Sequence, residues 1–289
     1  MTTAEIKFKE PFVRDESAAL RGALVIWTSR AIELQAPLNG EPSAIAERAR
    51  EQQAVLLSRL AAHGVQTIVH EPAEDAPLGA LAADAAVIFP TGAFIMRPSD
   101  PARRKEMPAL ESALAHAGVT ILGRIEAPGL LDGGDVLTAG GKLYFGIAGR
   151  RDSEVGIATG LHGNALGREQ LAVYARSIGM PVVEVAMSAQ ARRLRSVASL
   201  VETETLLYAP AFVDGAAFAG LRTIEVPSGE DYGAGILALG GRRAIANLRF
   251  RETIPLLRRA KVTIDAIDLW EFGKVGATPS SLVLALKRG

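Results

Sequence analysis

Two aspartates clasp two glycines in Leu131-Asp132-Gly133-Gly134-Asp135-Val136, a spacing that makes a poor helix and a good rigid turn. Glycine permits close backbone approach, and an aspartate in a turn can accept backbone N–H bonds or aim a carboxylate at a ligand. Asp135 is therefore a candidate base that could activate water, and Asp132 is a candidate binding carboxylate.

His162 is the histidine nominated for general acid-base work, in a glycine-rich stretch at 151–167 that reads as a lid or as a surface connection. His63, His70 and His116 fall at expected helix or strand ends and should be solvated. Pro279-Ser280-Ser281 reads as a polar turn into the last strand. The chain has no cysteine, which excludes disulfides and thiolate metal sites. With no His-x-x-x-His pair either, no metal and no cofactor are expected.

The elements that must position these residues are legible as alternating apolar runs. Of 289 residues, 48% are hydrophobic and 22% charged, enough for a substantial core. Strands are expected at 23–27, 66–69, 85–89, 93–96, 119–122, 136–137, 142–145, 182–185, within 197–208, and at 222–226, 235–239, 244–248 and 262–267. Helices are expected at 43–63, 102–117, 168–178 and 251–260, with a poorly marked one after 208. The unit is strand, strand, helix, strand, and it recurs five times. A short unit that cannot cover its own apolar face must pack on a neighbour. A single α/β domain over 1–289, arranged as a cyclic array and closed by 280–286, follows; an open α/β sheet is the alternative.

The 32 basic and 32 acidic side chains cancel, so nothing favours nucleic acid or an anionic membrane over a small ligand. The first residues lack a signal-peptide pattern, and no uninterrupted apolar run of 18 residues occurs, so a cytoplasmic protein is expected. Its partners should be a small-molecule substrate and further copies of itself, as a homo-oligomer.

The order Arg97-Pro98, Arg103-Arg104-Lys105-Glu106, the Asp-Gly-Gly-Asp turn, Tyr144-Phe145-Gly146-Ile147 and Arg150 resembles the dimethylarginine dimethylaminohydrolases of the guanidino-group-modifying (amidinotransferase, or pentein) superfamily. The likeness continues through Pro227-Ser228-Gly229-Glu230-Asp231-Tyr232 to Glu271-Phe272-Gly273-Lys274 and spans nearly the whole chain. It implies a five-bladed α/β propeller of ββαβ units, with carboxylates gripping a substrate guanidinium and arginines holding the substrate's carboxylate. It also implies a histidine that moves protons and a cysteine that attacks. Arg97 and Arg150 match the arginines, whose planar guanidinium can grip a carboxylate, a nitro group or a developing anion, although each could instead pair with Asp84, Asp132 or Asp135 and tie the blades together. Asp84, closing Pro77-Leu78-Gly79-Ala80-Leu81-Ala82-Ala83-Asp84, matches one of the acids and is a second candidate base. Leu78 and Ala83 stand where two acids are expected, and Gly276 replaces an aspartate. Arg193 replaces the histidine and turns a proton shuttle into an anion clamp, or else belongs to a solvated basic run, Arg192-Arg193-Leu194-Arg195. Ser281, or Ser280 if the register slips by one, replaces the cysteine as candidate nucleophile, a weak one without a neighbouring base.

Losing two anions around a buried cation leaves a desolvation cost of several kcal/mol, so the resemblance implies a substrate other than a free guanidinium. One expectation is a cysteine-independent hydrolase cleaving a C–N bond at a planar nitrogen-bearing carbon; release of nitrite from a nitroimidazole-type heterocycle is a reaction of that kind. The alternative is an inactive homologue that binds a small ligand or acts as an oligomeric binding protein. Dimethylarginine hydrolysis through Ser281 ranks last.

Overall fold

The computed structural model describes residues 6–38, 40–148 and 163–289. Among these residues fifteen strands form five three-stranded sheets. They are β1 (Leu20–Ile26), β2 (Gln66–His70), β3 (Ala86–Phe89), β4 (Gly92–Ile95), β5 (Ile121–Arg124), β6 (Val136–Ala139), β7 (Lys142–Ala148), β8 (Val182–Met187), β9 (Ala198–Glu202), β10 (Thr205–Tyr208), β11 (Arg222–Glu225), β12 (Leu237–Gly240), β13 (Arg243–Asn247), β14 (Thr263–Ile267) and β15 (Leu284–Arg288). The sheet orders are β15-β1-β2, β3-β4-β5, β6-β7-β8, β9-β10-β11 and β12-β13-β14. The last strand thus joins the first blade and closes the ring: this is the five-bladed α/β propeller.

Every blade is built alike. Its first two strands are antiparallel and the second and third are parallel. A parallel partner needs a crossover, supplied by the helices Ala46–Ala62, Met107–His116, Ala165–Ser177 and Thr253–Arg259 in four blades. In the fourth blade, where the sequence marks a helix poorly, one 3-10 turn at Gly215–Phe218 does the work. The innermost strands are buried on both faces, as in β3, β12 and the first four residues of β9, and so read as continuous apolar runs. The outer strands β2 and β11 reach solvent. The helix Ala46–Ala62 buries Ala46, Ala49, Gln53, Leu56 and Leu60, a three-and-four spacing that lays one stripe on the sheet.

Two sequence expectations need correction. The single helix expected at 102–117 is two, Pro101–Arg104 and Met107–His116. Pro108 lacks an N–H and would clash with the carbonyl of Arg104, so the first turn stops and a second begins. The strand expected at 119–122 begins later, at Ile121, where its pairing with β4 starts at Ala93 beside a register shift.

A short helical turn precedes the innermost strand of each blade: Ala82–Asp84, Gly133–Asp135, Leu194–Val197, Asp231–Ala234 and Pro279–Leu282. These turns meet around the ring axis and carry most of the candidate residues. No described helix is long and apolar enough to cross a membrane.

Candidate functional site

Asp84 ends one of these axial turns, Asp132 and Asp135 flank the next, and Arg193 stands at the start of the third. All four side chains are buried. The Arg193 guanidinium lies among the three carboxylates, with Nη2 at 3.2 Å from Asp132 Oδ1, and Nε at 3.5 Å from Asp84 Oδ1 and 3.9 Å from Asp135 Oδ2. Burial alone would push its pKa down, but the charges of Asp132, Asp84 and Asp135 outweigh that penalty and hold it above the ordinary arginine value. The guanidinium also donates from Nη1 to the carbonyl of Arg192 at 2.9 Å.

Each carboxylate has a second partner. Asp84 Oδ2 accepts from Arg103 Nη1 at 2.8 Å, and its Oδ1 accepts from the Gly134 N–H at 3.0 Å. Asp132 Oδ2 accepts from the hydroxyl and N–H of Ser99, at 2.8 and 3.2 Å. Asp135 Oδ1 accepts from the Leu194 N–H at 3.1 Å, which caps the turn that presents Arg193. Arg103 is 1% exposed and lies 3.7 Å from Glu106, whose carboxyl is shifted upward by burial against the pull of Arg103. The result is a closed cage: an internal cation, three aspartates, and a second buried arginine behind Asp84.

Gly133 and Gly134 let these turns approach. A Cβ on Gly133 would fall 2.3 Å from the Ala83 carbonyl oxygen, and one on Gly134 would fall 2.2 Å from Asp84 Oδ1 and 3.0 Å from Arg193 Cγ. A Gly134→Ala substitution should therefore spread the cage and lower stability by about 1–3 kcal/mol, the usual cost of forcing an extra methyl into a packed interior. Urea unfolding checks this; an unchanged midpoint would mean the turns are looser than these contacts require.

The remaining candidates fall elsewhere. Arg97 is half-buried and donates to the Gly129 carbonyl at 3.1 Å while its backbone pairs with Leu131, so it steadies the entry to the Asp132 turn. Ser281 is fully buried and self-contained, donating to the Thr278 carbonyl and accepting from the Thr278 N–H, both at 2.8 Å. Ser280 donates to the Arg195 carbonyl at 2.7 Å and faces a cavity on the axis. Neither serine bonds an imidazole among the described residues. Arg150 and His162 lie outside the described residues. His63, expected to be solvated, is half-buried at 3.2 Å from Asp265. The basic run at 192–195 is not a solvated face: Arg193 is in the cage, and Arg195 grips Glu16 through two nitrogens at 2.5 and 2.6 Å.

The cage contains residues that sequence reasoning passed over as site members. Arg103 stood out only as part of a flanking basic run, and Ser99 not at all. A buried arginine is not visible in a helix start such as Pro101-Ala102-Arg103-Arg104, where one guanidinium turns inward to Asp84 and the next bonds the carbonyls of Pro98 and Ser99.

No family model matches the chain. The dimethylarginine dimethylaminohydrolase of Streptomyces coelicolor is 31% identical to it over 239 residues, 83% of this chain and 86% of that protein. A cysteine-to-serine variant of the Pseudomonas aeruginosa dimethylarginine dimethylaminohydrolase, complexed with citrulline, superposes with a TM-score of 0.80 at 22% identity, covering 92% of this chain and 99% of that one. An amidinotransferase from the saxitoxin pathway of Microseira wollei superposes at 0.75 with 14% identity over 96% of this chain and 97% of that one.

Proposed function

The chain belongs to the dimethylarginine dimethylaminohydrolase family of the amidinotransferase, or pentein, superfamily, and on that premise we propose that it is a catalytically silent member that works by binding rather than by turnover. One observation carries this reading: the acidic pocket at the ring axis is filled by the chain's own guanidinium, Arg193. A free guanidino substrate would have to displace a tethered one, or bring a further cation beside Arg193 and Arg103. Both are opposed by charge and by packing density.

The hydrolytic alternative at a planar nitrogen-bearing carbon asks Asp84 or Asp135 to take a proton from water. Each already serves a cation and a backbone N–H, and would have to give up such contacts to act as a base. Ser281 is locked into the turn at Thr278, and arginine at position 193 cannot shuttle protons near neutral pH. What remains is a scaffold that presents a bound small ligand or an oligomeric surface.

Purified protein incubated with monomethyl- and dimethylarginine should release no citrulline above the blank, and 2-nitroimidazole should yield no nitrite. Citrulline formation would show that Arg193 leaves the cage, and nitrite formation would restore the heterocycle hydrolase; either would end the binding-only reading.

A further inference from the structure

Below the ring of turns lies a second feature, a cavity of about 50 Å³ on the axis. Residues from the innermost strand of every blade line it, including Ile88, Leu137, Ser199, Leu237 and Leu284. Glu16, Arg195 and Arg288 add three charges to a wall that also carries the hydroxyls of Ser199 and Ser280. Glu16 is already committed, since Arg195 grips both of its oxygens and the Thr138 N–H donates to it at 3.0 Å.

Arg288 is the member with no carboxylate bonded to it among the described residues. It is 7% exposed, and among those residues its side chain donates from Nη1, to the carbonyls of Ala18 and Ala238 at 2.8 and 3.0 Å. Its Nε is buried without a hydrogen-bond partner among the described residues, as is the hydroxyl of Ser199. Burial pushes the Arg288 pKa down to about 10, with Glu16 and Asp15 pulling upward and Arg195 downward. It is therefore still charged at neutral pH, and the carboxylate that shares its wall, Glu16, is held by Arg195. A buried guanidinium in that position is stabilised by an anion.

We propose that the axial cavity binds a small monovalent anion of chloride or formate size, held by Arg288 and Ser199. The volume suits this class: a cavity of about 10–15 Å³ holds one water, so about 50 Å³ accommodates one compact anion with a water or two. Site and ligand are independent of the Arg193 cage and of whether the protein turns anything over.

The test follows thermal unfolding of the full chain at constant ionic strength, with gluconate exchanged for chloride in one series and for formate in another. Chloride or formate above its dissociation constant should raise the midpoint by about 2–3 °C per tenfold increase, while gluconate, too large for the cavity, leaves it flat. The arm that responds identifies the anion. Arg288→Gln should abolish the response. Equal midpoints in all three salts, or an unchanged slope in Arg288→Gln, would overturn the proposal. If that variant does not fold, bromide-soaked crystals of the unaltered protein decide the matter. An anomalous peak within about 3.5 Å of the Arg288 guanidinium supports the site, and water alone at high bromide overturns it.

Discussion

Replacing Arg193 by glycine is expected to cost about 3–5 kcal/mol of unfolding free energy and to make the protein respond to free guanidinium ion. The cost arises because Asp84, Asp132 and Asp135 would remain buried with their shared cation gone. Arg103 contacts only Asp84 of the three, so it cannot neutralise the others. The vacated space has the shape and charge of a guanidinium by construction. Guanidinium chloride at about 10–50 mM, far below its denaturing range, should therefore raise the melting temperature of Arg193→Gly by several degrees, as mass action requires for a ligand that binds only the folded state. The unaltered protein should show no such gain over matched sodium chloride. Equal responses from both would mean that the cage does not recognise the ion, and the case for a self-occupied pocket would go with it.

Asp84→Ala is expected to have the largest single effect on stability, because this one carboxylate serves two buried arginines and a backbone donor. It accepts from Arg103 at 2.8 Å and from the Gly134 N–H at 3.0 Å, and it lies 3.5 Å from Arg193. Its loss strands Arg103, which is left with Glu106 at 3.7 Å and the Leu81 carbonyl at 3.0 Å. Removing one partner of a buried pair costs about 3–5 kcal/mol, and the orphaned Gly134 N–H adds about 1–3. Asp84→Asn should recover part of the deficit, since an amide oxygen can still accept from Gly134 while the charge is gone. Urea unfolding of the two variants orders them; Asp84→Ala within 1 kcal/mol of the unaltered protein would contradict the buried network.

Much of the fold was legible because its signals are local. Apolar runs marked the strands, and the recurrence of strand, strand, helix, strand, at irregular spacing, marked the blades. The fourth crossover was unreadable as a helix for a physical reason: Gly215-Ala216-Ala217-Phe218 makes only one turn, held by the side chain of Asp214 and anchored by buried Phe218. The split at 105–106 was readable in principle from Pro108 but was overridden by the apolar periodicity on either side of it.

The site was legible in part. Asp84, Asp132, Asp135 and Arg193 were each singled out, but as separate catalytic and binding groups. Arg193 was cast as a clamp facing an outside ligand or as a surface charge. It is instead the ligand of the aspartates. Arg103, which bonds Asp84, was marked only as part of a flanking basic run, because the burial of a charged side chain depends on what lies opposite it.

The amino-acid sequence alone determined that sulfur chemistry is absent, since no cysteine exists to supply it. It also determined that five similar units must cover one another's apolar faces, and that glycines and aspartates alternate where a tight acidic turn can form. Only the tertiary structure decided that Arg193 occupies the acidic pocket. Asp84, Asp132 and Arg193 come from three successive blades and are far apart along the chain, so nothing local brings them together. They meet because the turns before β3, β6 and β9 converge at the axis, and the low dielectric of that buried centre strengthens the attraction of one internal cation for three carboxylates.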